Sequence, residues 1–296
     1  MRNYKQTADL NIIILNYNGQ FWLKKLLPSL KKNYLSKSKY KVEVTIVDNA
    51  STDDSIKVLQ RNFKWVTILE SGRNGGFAFG NNVAIKKNEA RYLMLLNSDT
   101  EFLDASQSNL DEIIDYLDQH KEVAVASPRI ELGDGDLDPA CHRGEPTPFA
   151  SFSYIIGLEK IFPKTKLFGS YHQSYKNLQE IHQIDACSGA AMIVRNNAVK
   201  KVGLLDENFF MYAEDLDWCK RFRDSGYQIV FYPKIKIIHY KNKSGIKSSN
   251  KKTAMMTRQH FYKTMLQYYD KHYLDKYPKF FRNLVKYFVL IKTDGR

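Results

Sequence analysis

The sequence predicts an α/β protein built on a sheet with crossover helices, and three observations carry that expectation. The first hundred residues alternate apolar, β-branched runs with segments of helical period. Polar residues collect where those runs end, at Asn16 and Tyr17, at Asp48 and at Asp99, and ligands bind outside the carboxyl ends of strands in open α/β sheets. Finally, 296 residues with 43% hydrophobic and 26% charged side chains, 15 Gly and 8 Pro can bury a full core, which excludes collagen-like and largely disordered classes.

Leu10 to Asn16 (LNIIILN) is a near-continuous β-branched run, as expected of a strand buried on both faces. Phe21, Trp22, Leu26, Leu27 and Leu30 then recur at helical spacing. Val42 to Val47 is a second strand ending at Asp48; Ser51 or Thr52 is suited to cap the following helix, with Asp53 and Asp54 in its first turn. Val66 to Leu69 is a short third strand leading into SGRNGG and a helix over Phe77 to Asn88. Arg91 to Leu96 is the fourth, and its exit carries Asn97, Ser98 and Asp99. A helix over Ser106 to His120 and a strand over Val123 to Ser127 follow. Residues 128–184, with DGDLDP, EPTP and mixed aromatics, read as an insertion or lid. Beyond it come a strand (Ala190 to Val194), a short helix (Asn196 to Val202), a helix with an acidic first turn (Asp215 to Ser225) and strands over Gln228 to Tyr232 and Lys234 to His239. The economical division is one catalytic domain over residues 1–240 and a tail over residues 241–296.

Charge divides along the same line. Lys plus Arg is 45 against 32 Asp plus Glu; 14 of the basic and 3 of the acidic residues lie from Lys241 onward, leaving 31 against 29 before it. The body is nearly neutral, and the basic excess shares the tail with ten aromatics. Phe281, Leu284, Val285, Phe288 and Val289 fall on one helical face of that tail, with Lys279, Arg282 and Lys286 on another. Such a helix suits an anionic membrane surface; its alternative is a face packed on the body with solvated lysines. No apolar run reaches the ~18 residues of a membrane span, and the polar start lacks a signal core. Three widely spaced cysteines, Cys141, Cys187 and Cys219, fit neither a disulfide framework nor a zinc site, so a reducing cytoplasm is expected.

Two constellations carry chemistry. In the first, a strand-end carboxylate such as Asp48 can accept hydrogen bonds from a nucleotide, and a second, Asp99, can hold Mg²⁺ or Mn²⁺ on a diphosphate. The stretch RNGGFAFGNN, with Asn74 and Gly75, lies at a strand-to-helix junction whose free N–H groups suit an anion or hydroxyl. It is neither a Walker loop nor a dinucleotide fingerprint. The second constellation is FFMYAEDLDWCKRF, residues 209–222, where Glu214, Asp215 and Asp217 crowd a helix start. Like charges raise at least one pKa while the helix N-terminus favours ionisation, a balance suited to a general base; the plain alternative is an acidic N-cap. His239 is a metal ligand or an ordinary core or surface histidine.

Taken together, ILNYNG, VDNASTDDS, NGGFAFGNN, LMLLNSD, CSGAAMIVR, VGLLDENFFMYAEDLDWCKRFRDSGY and IIHY resemble the family 2 glycosyltransferases of GT-A fold, most of all their bacterial rhamnosyltransferase-like branch. The resemblance runs from Leu10 to Tyr240. It implies the GT-A nucleotide-diphospho-sugar transferase fold, a Rossmann-like mixed sheet flanked by helices, here with a helical basic extension. It places nucleotide-sugar contacts on Asn16, Tyr17, Asp48, Asn74, Gly75, Asn97 and Asp99. The family's DxD-type metal motif reads Asn97-Ser98-Asp99, so its first carboxylate is missing and Asp99 carries most of the metal contact, with His239 as the second ligand. The ED pair puts the catalytic base on Asp215 with Glu214 beside it. The Q-x-x-R-W motif of processive synthases is absent, which implies addition of one sugar or a few.

The expected activity is thus metal-assisted, inverting transfer from a nucleotide sugar to a glycan or polyprenyl-diphosphate-linked acceptor in bacterial surface polysaccharide synthesis. By resemblance the donor is dTDP-L-rhamnose, with a UDP-hexose (glucose, galactose or GlcNAc) as the alternative. The enzyme is expected at the inner face of the cell membrane. A nucleic-acid-binding protein would need a recognition module and a second basic surface, and neither is present, so no nucleic acid is expected as partner. A sugar-1-phosphate nucleotidyltransferase would carry a basic, Gly-rich loop after the first strand, where this chain has NYNGQFW. A non-catalytic sugar-binding module would leave the ED pair without a purpose.

Overall fold

The structure is a computed structural model describing residues 8–241 and 251–287, except 279, 281, 284 and 285. The expected apolar tail face at Phe281, Leu284, Val285, Phe288 and Val289 therefore lies outside the described residues, as does Lys279. The N-terminal half alternates β1 (Leu10–Asn16), α1 (Gln20–Leu30), β2 (Val42–Asp48), α2 (Ser55–Asn62), β3 (Thr67–Glu70), α3 (Gly76–Ile85) and β4 (Tyr92–Asn97). There follow β5 (Thr100–Phe102), α4 (Asp111–Gln119), β6 (Val123–Leu132), α5 (Pro148–Ile155), α6 (Leu158–Ile161) and β7 (His182–Ile184). The chain continues with β8 (Ala191–Arg195), α7 (Asn196–Val202), α8 (Glu214–Asp224), β9 (Gln228–His239) and α9 (Lys251–Tyr273).

The nine strands among the described residues join one mixed sheet in the order β3-β2-β1-β4-β8-β6-β9-β5, with β7 also paired to β9. The pairs β1·β2, β1·β4 and β2·β3 are parallel, as the crossover pattern requires. Ile12, Ile13 and Ile14 on β1 are wholly buried, in one core with Leu23, Leu26 and Leu27 of α1, and α3 packs against the strand. That double coverage explains a run without alternation. Antiparallel β8 then closes the parallel half by pairing with β4.

Several boundaries differ from expectation for local reasons. Neither Ser51 nor Thr52 caps α2, which starts after Asp54; the Ser51 hydroxyl instead accepts from Asn18 N at 2.8 Å and from Asn16 Nδ2 at 3.1 Å. Asp53 lies outside the first turn and accepts from Ser55 N and Gln20 N, so these polar residues build the loop rather than the helix. The helix expected from Ser106 starts only at Asp111, because Asp104 and Ser106 close a local turn and the Ser108 hydroxyl donates to Lys236 O at 2.6 Å. Strand β6 runs on through Pro128 to Leu132, and residues 228–239 form one strand instead of two. Their parallel pairing absorbs Pro128 at a register shift, where a proline's missing N–H is tolerated. Of residues 128–184, both ends thus join the sheet and the middle carries α5 and α6.

Helix α9 packs on the body. Tyr268, Tyr269 and Tyr273 belong to the buried core, next to α8 with its fully buried Trp218. Asp217 of α8 is the joint: it accepts from Arg221 Nε at 2.8 Å, Lys271 Nζ at 2.7 Å and His272 Nε2 at 2.8 Å. Burial raises the pKa of this carboxyl, but the His272 and Lys271 hydrogen bonds and the Arg221 charge outweigh burial and take it down to about 2. A depressed carboxylate stabilises the fold above its ordinary pKa and loses that contribution as pH falls towards the folded value. The urea-unfolding gap between wild type and Asp217→Asn is therefore expected to narrow by about 1 kcal/mol from roughly pH 5 to pH 3. A gap that stays constant with pH would refute this role for Asp217.

Candidate active site

The carboxyl ends of β1, β2 and β4 form one edge of the sheet, and Asn16 stands directly opposite Asp48 in the parallel register. Asn16 Nδ2 donates to Asp48 Oδ1 at 2.9 Å, while Ser51 N donates to Asp48 Oδ2 at 2.9 Å. Asp48 is buried, and each of its oxygens already holds one protein hydrogen bond, so a ligand could reach only the remaining lone pairs. Asn16 Oδ1 is buried without a partner. An acceptor in that position costs roughly 1–3 kcal/mol unless a donor reaches it, and a ligand at the strand ends can supply one. Tyr17 next to it is 52% exposed, an aromatic face open at the same edge.

The glycine stretch is fastened to β2 by Asn49, whose Nδ2 donates to Asn74 Oδ1 at 3.0 Å and to Gly76 O at 3.2 Å. Gly76 has φ +87°, and a Cβ there would lie 2.0 Å from the Phe210 carbonyl oxygen. Only glycine combines that conformation with that approach. Phe77 N then donates to Phe210 O at 2.8 Å, joining the NGG loop to the loop before the ED pair. Gly189 completes the junction, since a Cβ there would come within 2.8 Å of the Phe77 ring.

The Asn97-Ser98-Asp99 turn between β4 and β5 is set against His239 because Thr100 pairs with His239 in the β5·β9 ladder. His239 Nε2 lies 3.3 Å from Asp99 Oδ1 and 3.3 Å from Asn97 Nδ2, and its Nδ1 donates to Asp138 Oδ2 at 3.2 Å. Burial disfavours the charged ring, yet hydrogen bonds to Asp138 and Asp99 outweigh it and raise the pKa to about 9. Asp138 is itself buried and paired with Lys241 Nζ at 3.0 Å. Among the described residues no group of three or more His, Cys, Asp or Glu is arranged to hold a metal. What the site does present is the Asp99 carboxylate beside a His239 ring that Asp138 fixes from behind; the raised pKa favours the protonated ring, which would offer a nitrogen lone pair only where a metal ion displaces that proton.

Backbone strain marks the ED pair: Tyr212 (φ 72°) and Ala213 (φ 67°) are consecutive non-glycine residues in the left-handed region, at ~1–2 kcal/mol each. The three carboxylates that follow go to three environments. Glu214 is buried with Oε2 unpartnered, and burial together with the neighbouring Asp215 charge holds its pKa well above the usual range. Asp217 faces away, into the cation cluster under α9. Asp215 is half-buried, accepts from Gly189 N at 3.2 Å through Oδ2, and lies within electrostatic reach of Arg143. Ala190 O, one residue beyond Gly189, accepts from Asn97 N at 2.9 Å, so a single short turn separates Asp215 from the NSD motif.

Contacts link the loops that carry Asn16, Asp48, Asn74, Gly75, Asn97, Asp99, Asp215 and His239, with Tyr17 exposed beside Asn16; Glu214 is buried next to Asp215, and Asp217 turns to α9. Asn49, Asp138, Arg143 and Gly189 were missed. Asn49 and Gly189 stood inside noted motifs without a role, whereas Asp138 and Arg143 lie in the irregular stretch, where turn chemistry hides them.

Known proteins resemble this chain in sequence and in fold. The family model described as Glycosyl transferase family 2 matches residues 11–203. A low-salt glycan biosynthesis hexosyltransferase, Agl10, of Haloferax volcanii is 26% identical over 73% of this chain, and the match spans 62% of that relative's length. An N-acetylglucosaminyl-diphospho-decaprenol L-rhamnosyltransferase of Mycobacterium tuberculosis is 23% identical over 79% of this chain and 77% of its own. Among solved structures, the mannosyltransferase PcManGT from Pyrobaculum calidifontis, in complex with GDP-Man and Mn²⁺, superposes with a TM-score of 0.59 at 14% identity, covering 97% of this chain and 70% of its own. That likeness establishes the GT-A fold. Since the family match covers residues 11–203, and with them Asn16, Asp48 and Asp99, the chain belongs to glycosyl transferase family 2 and is rhamnosyltransferase-like within it.

Proposed function

We propose that the chain is an inverting glycosyltransferase that moves L-rhamnose from dTDP-rhamnose to a glycan carried on a polyprenyl diphosphate, at the inner face of a bacterial membrane. The observation that carries this reading is the division of labour in the ED pair. Glu214 is buried and held toward its neutral form, while Asp215 opens toward the turn shared with Asn97. Asp215 then takes the proton of an acceptor hydroxyl as its oxygen bonds to the anomeric carbon and the bond to the nucleotide diphosphate breaks. Attack from the face opposite the leaving group inverts the anomeric centre. Asn16, Asp48 and Tyr17 hold the base, and Asn74 and Gly75 flank the sugar.

Asp99 and His239 would hold Mg²⁺ or Mn²⁺, completed by diphosphate oxygens and water, as is usual where a protein offers few ligands. Such an ion supplies charge neutralisation for the departing diphosphate. The Mycobacterium relative's name supports rhamnose and a lipid-diphosphate acceptor. The Haloferax relative, a hexosyltransferase, supports the second reading, a UDP-hexose donor.

A thermal-shift and product-release panel of dTDP-rhamnose, UDP-glucose, UDP-galactose, UDP-GlcNAc and GDP-mannose, each with and without Mn²⁺ or Mg²⁺, decides the donor. dTDP-rhamnose is expected to raise Tm most, and Asp48→Ala is expected to abolish that rise. Asp99→Ala should remove only the metal-dependent increment. Stabilisation by a UDP-hexose alone would select the second reading. Asp215→Asn is expected to keep donor binding while turnover falls ~10²–10⁴-fold, the range of a lost general base. Glu214→Gln, which puts an uncharged amide where burial already disfavours the carboxylate, should cost far less. Normal transfer by Asp215→Asn would move the base elsewhere.

A further inference from the structure

Helix α5 is built inside out. Its small residues, Ala150 and Ser153, are buried against the protein, while Phe149, Phe152, Ile155 and Ile156 are exposed. These four recur at three- and four-residue spacing and so form one stripe, with Phe152 and Ile156 each 50% exposed. Gly157, at φ +83°, turns the chain into α6, which adds Ile161 at 67% exposure and Phe162 beside it. Soluble surfaces rarely leave a contiguous apolar face of this kind uncovered.

Along this hairpin the exposed charge has one sign. Lys160, Lys164 and Lys166 are exposed at its rim. Glu159, the sole acidic residue between Pro148 and Phe168, is buried and turned inward, where it accepts from His172 N at 3.1 Å and pairs with the His172 ring. A large apolar stripe with a basic rim matches a bilayer interface with anionic headgroups, into which such a helix sinks its apolar side while its lysines meet the phosphates. Among the described residues no helix is long and apolar enough to cross a membrane, so this contact lies on the surface and does not span it.

The same hairpin leads to the chemistry. Tyr154 stacks on Tyr171 with ring centroids 4.5 Å apart, Arg143 donates to the Tyr171 hydroxyl at 3.3 Å, and Arg143 is the cation beside Asp215. We propose that the α5–α6 hairpin docks this enzyme on an anionic bilayer surface, holding the base at Asp215 close to the plane where lipid-linked acceptors lie. Its purpose rests on the acceptor class proposed above, whereas the docking itself does not. A second copy of the chain and a protein partner are the competing occupants, and neither accounts for a rim of lysines without an exposed carboxylate.

The test is co-sedimentation of the full chain with vesicles of phosphatidylcholine alone or mixed with phosphatidylglycerol. Wild type is expected to bind the mixed vesicles. Phe152→Asp with Ile156→Asp, and separately Lys160→Glu with Lys164→Glu and Lys166→Glu, are each expected to lower that binding roughly tenfold or more. Both sets lie on exposed positions, and an unchanged Tm with an unchanged shift by nucleotide sugar shows that fold and donor site are intact. Wild type that ignores anionic vesicles, or variants that bind like wild type, would overturn the inference. So would a wild-type dimer, seen by light scattering, that the aspartate variant converts to a monomer without any vesicle binding. A failed donor panel beside normal vesicle binding would instead count against the transferase reading alone.

Discussion

The hydrogen bond from Phe77 N to the Phe210 carbonyl is the contact on which the site depends. It forms only because Gly76 lets two backbones meet where any side chain would collide, and it joins segments that lie far apart in sequence. On one side is the NGG loop, tied to β2 by Asn49; on the other is the loop whose two left-handed residues, Tyr212 and Ala213, aim the ED pair. Gly189 packs against the Phe77 ring and donates to Asp215, so the same junction carries the third wall. The strain at Tyr212 and Ala213 persists because the packing around it overdetermines the backbone.

Around that junction, burial and partners sort the carboxylates into tasks that their residue type does not reveal. Asp48 is buried and tied to Asn16 and Ser51, which shapes the edge of β1 and β2. Glu214, buried without a partner, is driven toward its neutral form, and Asp217 is held as an anion by the Arg221 and Lys271 cations and a hydrogen bond to His272. Asp138 steadies His239 from behind, while Asp99 meets the same ring from the front. Asp215 is left as the half-buried acid of the ED stretch, hydrogen-bonded to Gly189 N. The general rule is that a charge removed from water must be paired or lost, and here each outcome occurs within a few residues.

The basic character of the chain also resolves into separate roles. Lys271 and His272 of α9 are spent internally on Asp217, so part of the tail's positive charge fastens the helix to the body. The buried Tyr268, Tyr269 and Tyr273 do the same through apolar area. The exposed apolar face with a lysine rim lies elsewhere, on α5 and α6, within the stretch whose sequence is least regular.

The sequence by itself determined the parallel half of the fold, because a strand buried on both faces must be apolar throughout and β1 is apolar throughout. It also determined where the polar residues gather, since they stand at the ends of those runs, and the motif order was enough to name the family. Only the tertiary structure decided the separate environments of the three neighbouring acids, because they depend on the phase of α8 and on what α9 brings against it. It likewise decided that Asp138 and Arg143 belong to the site and that α5 turns its apolar side outward. Those outcomes rest on contacts between residues distant in the chain, and neither periodicity nor local turn preference encodes them.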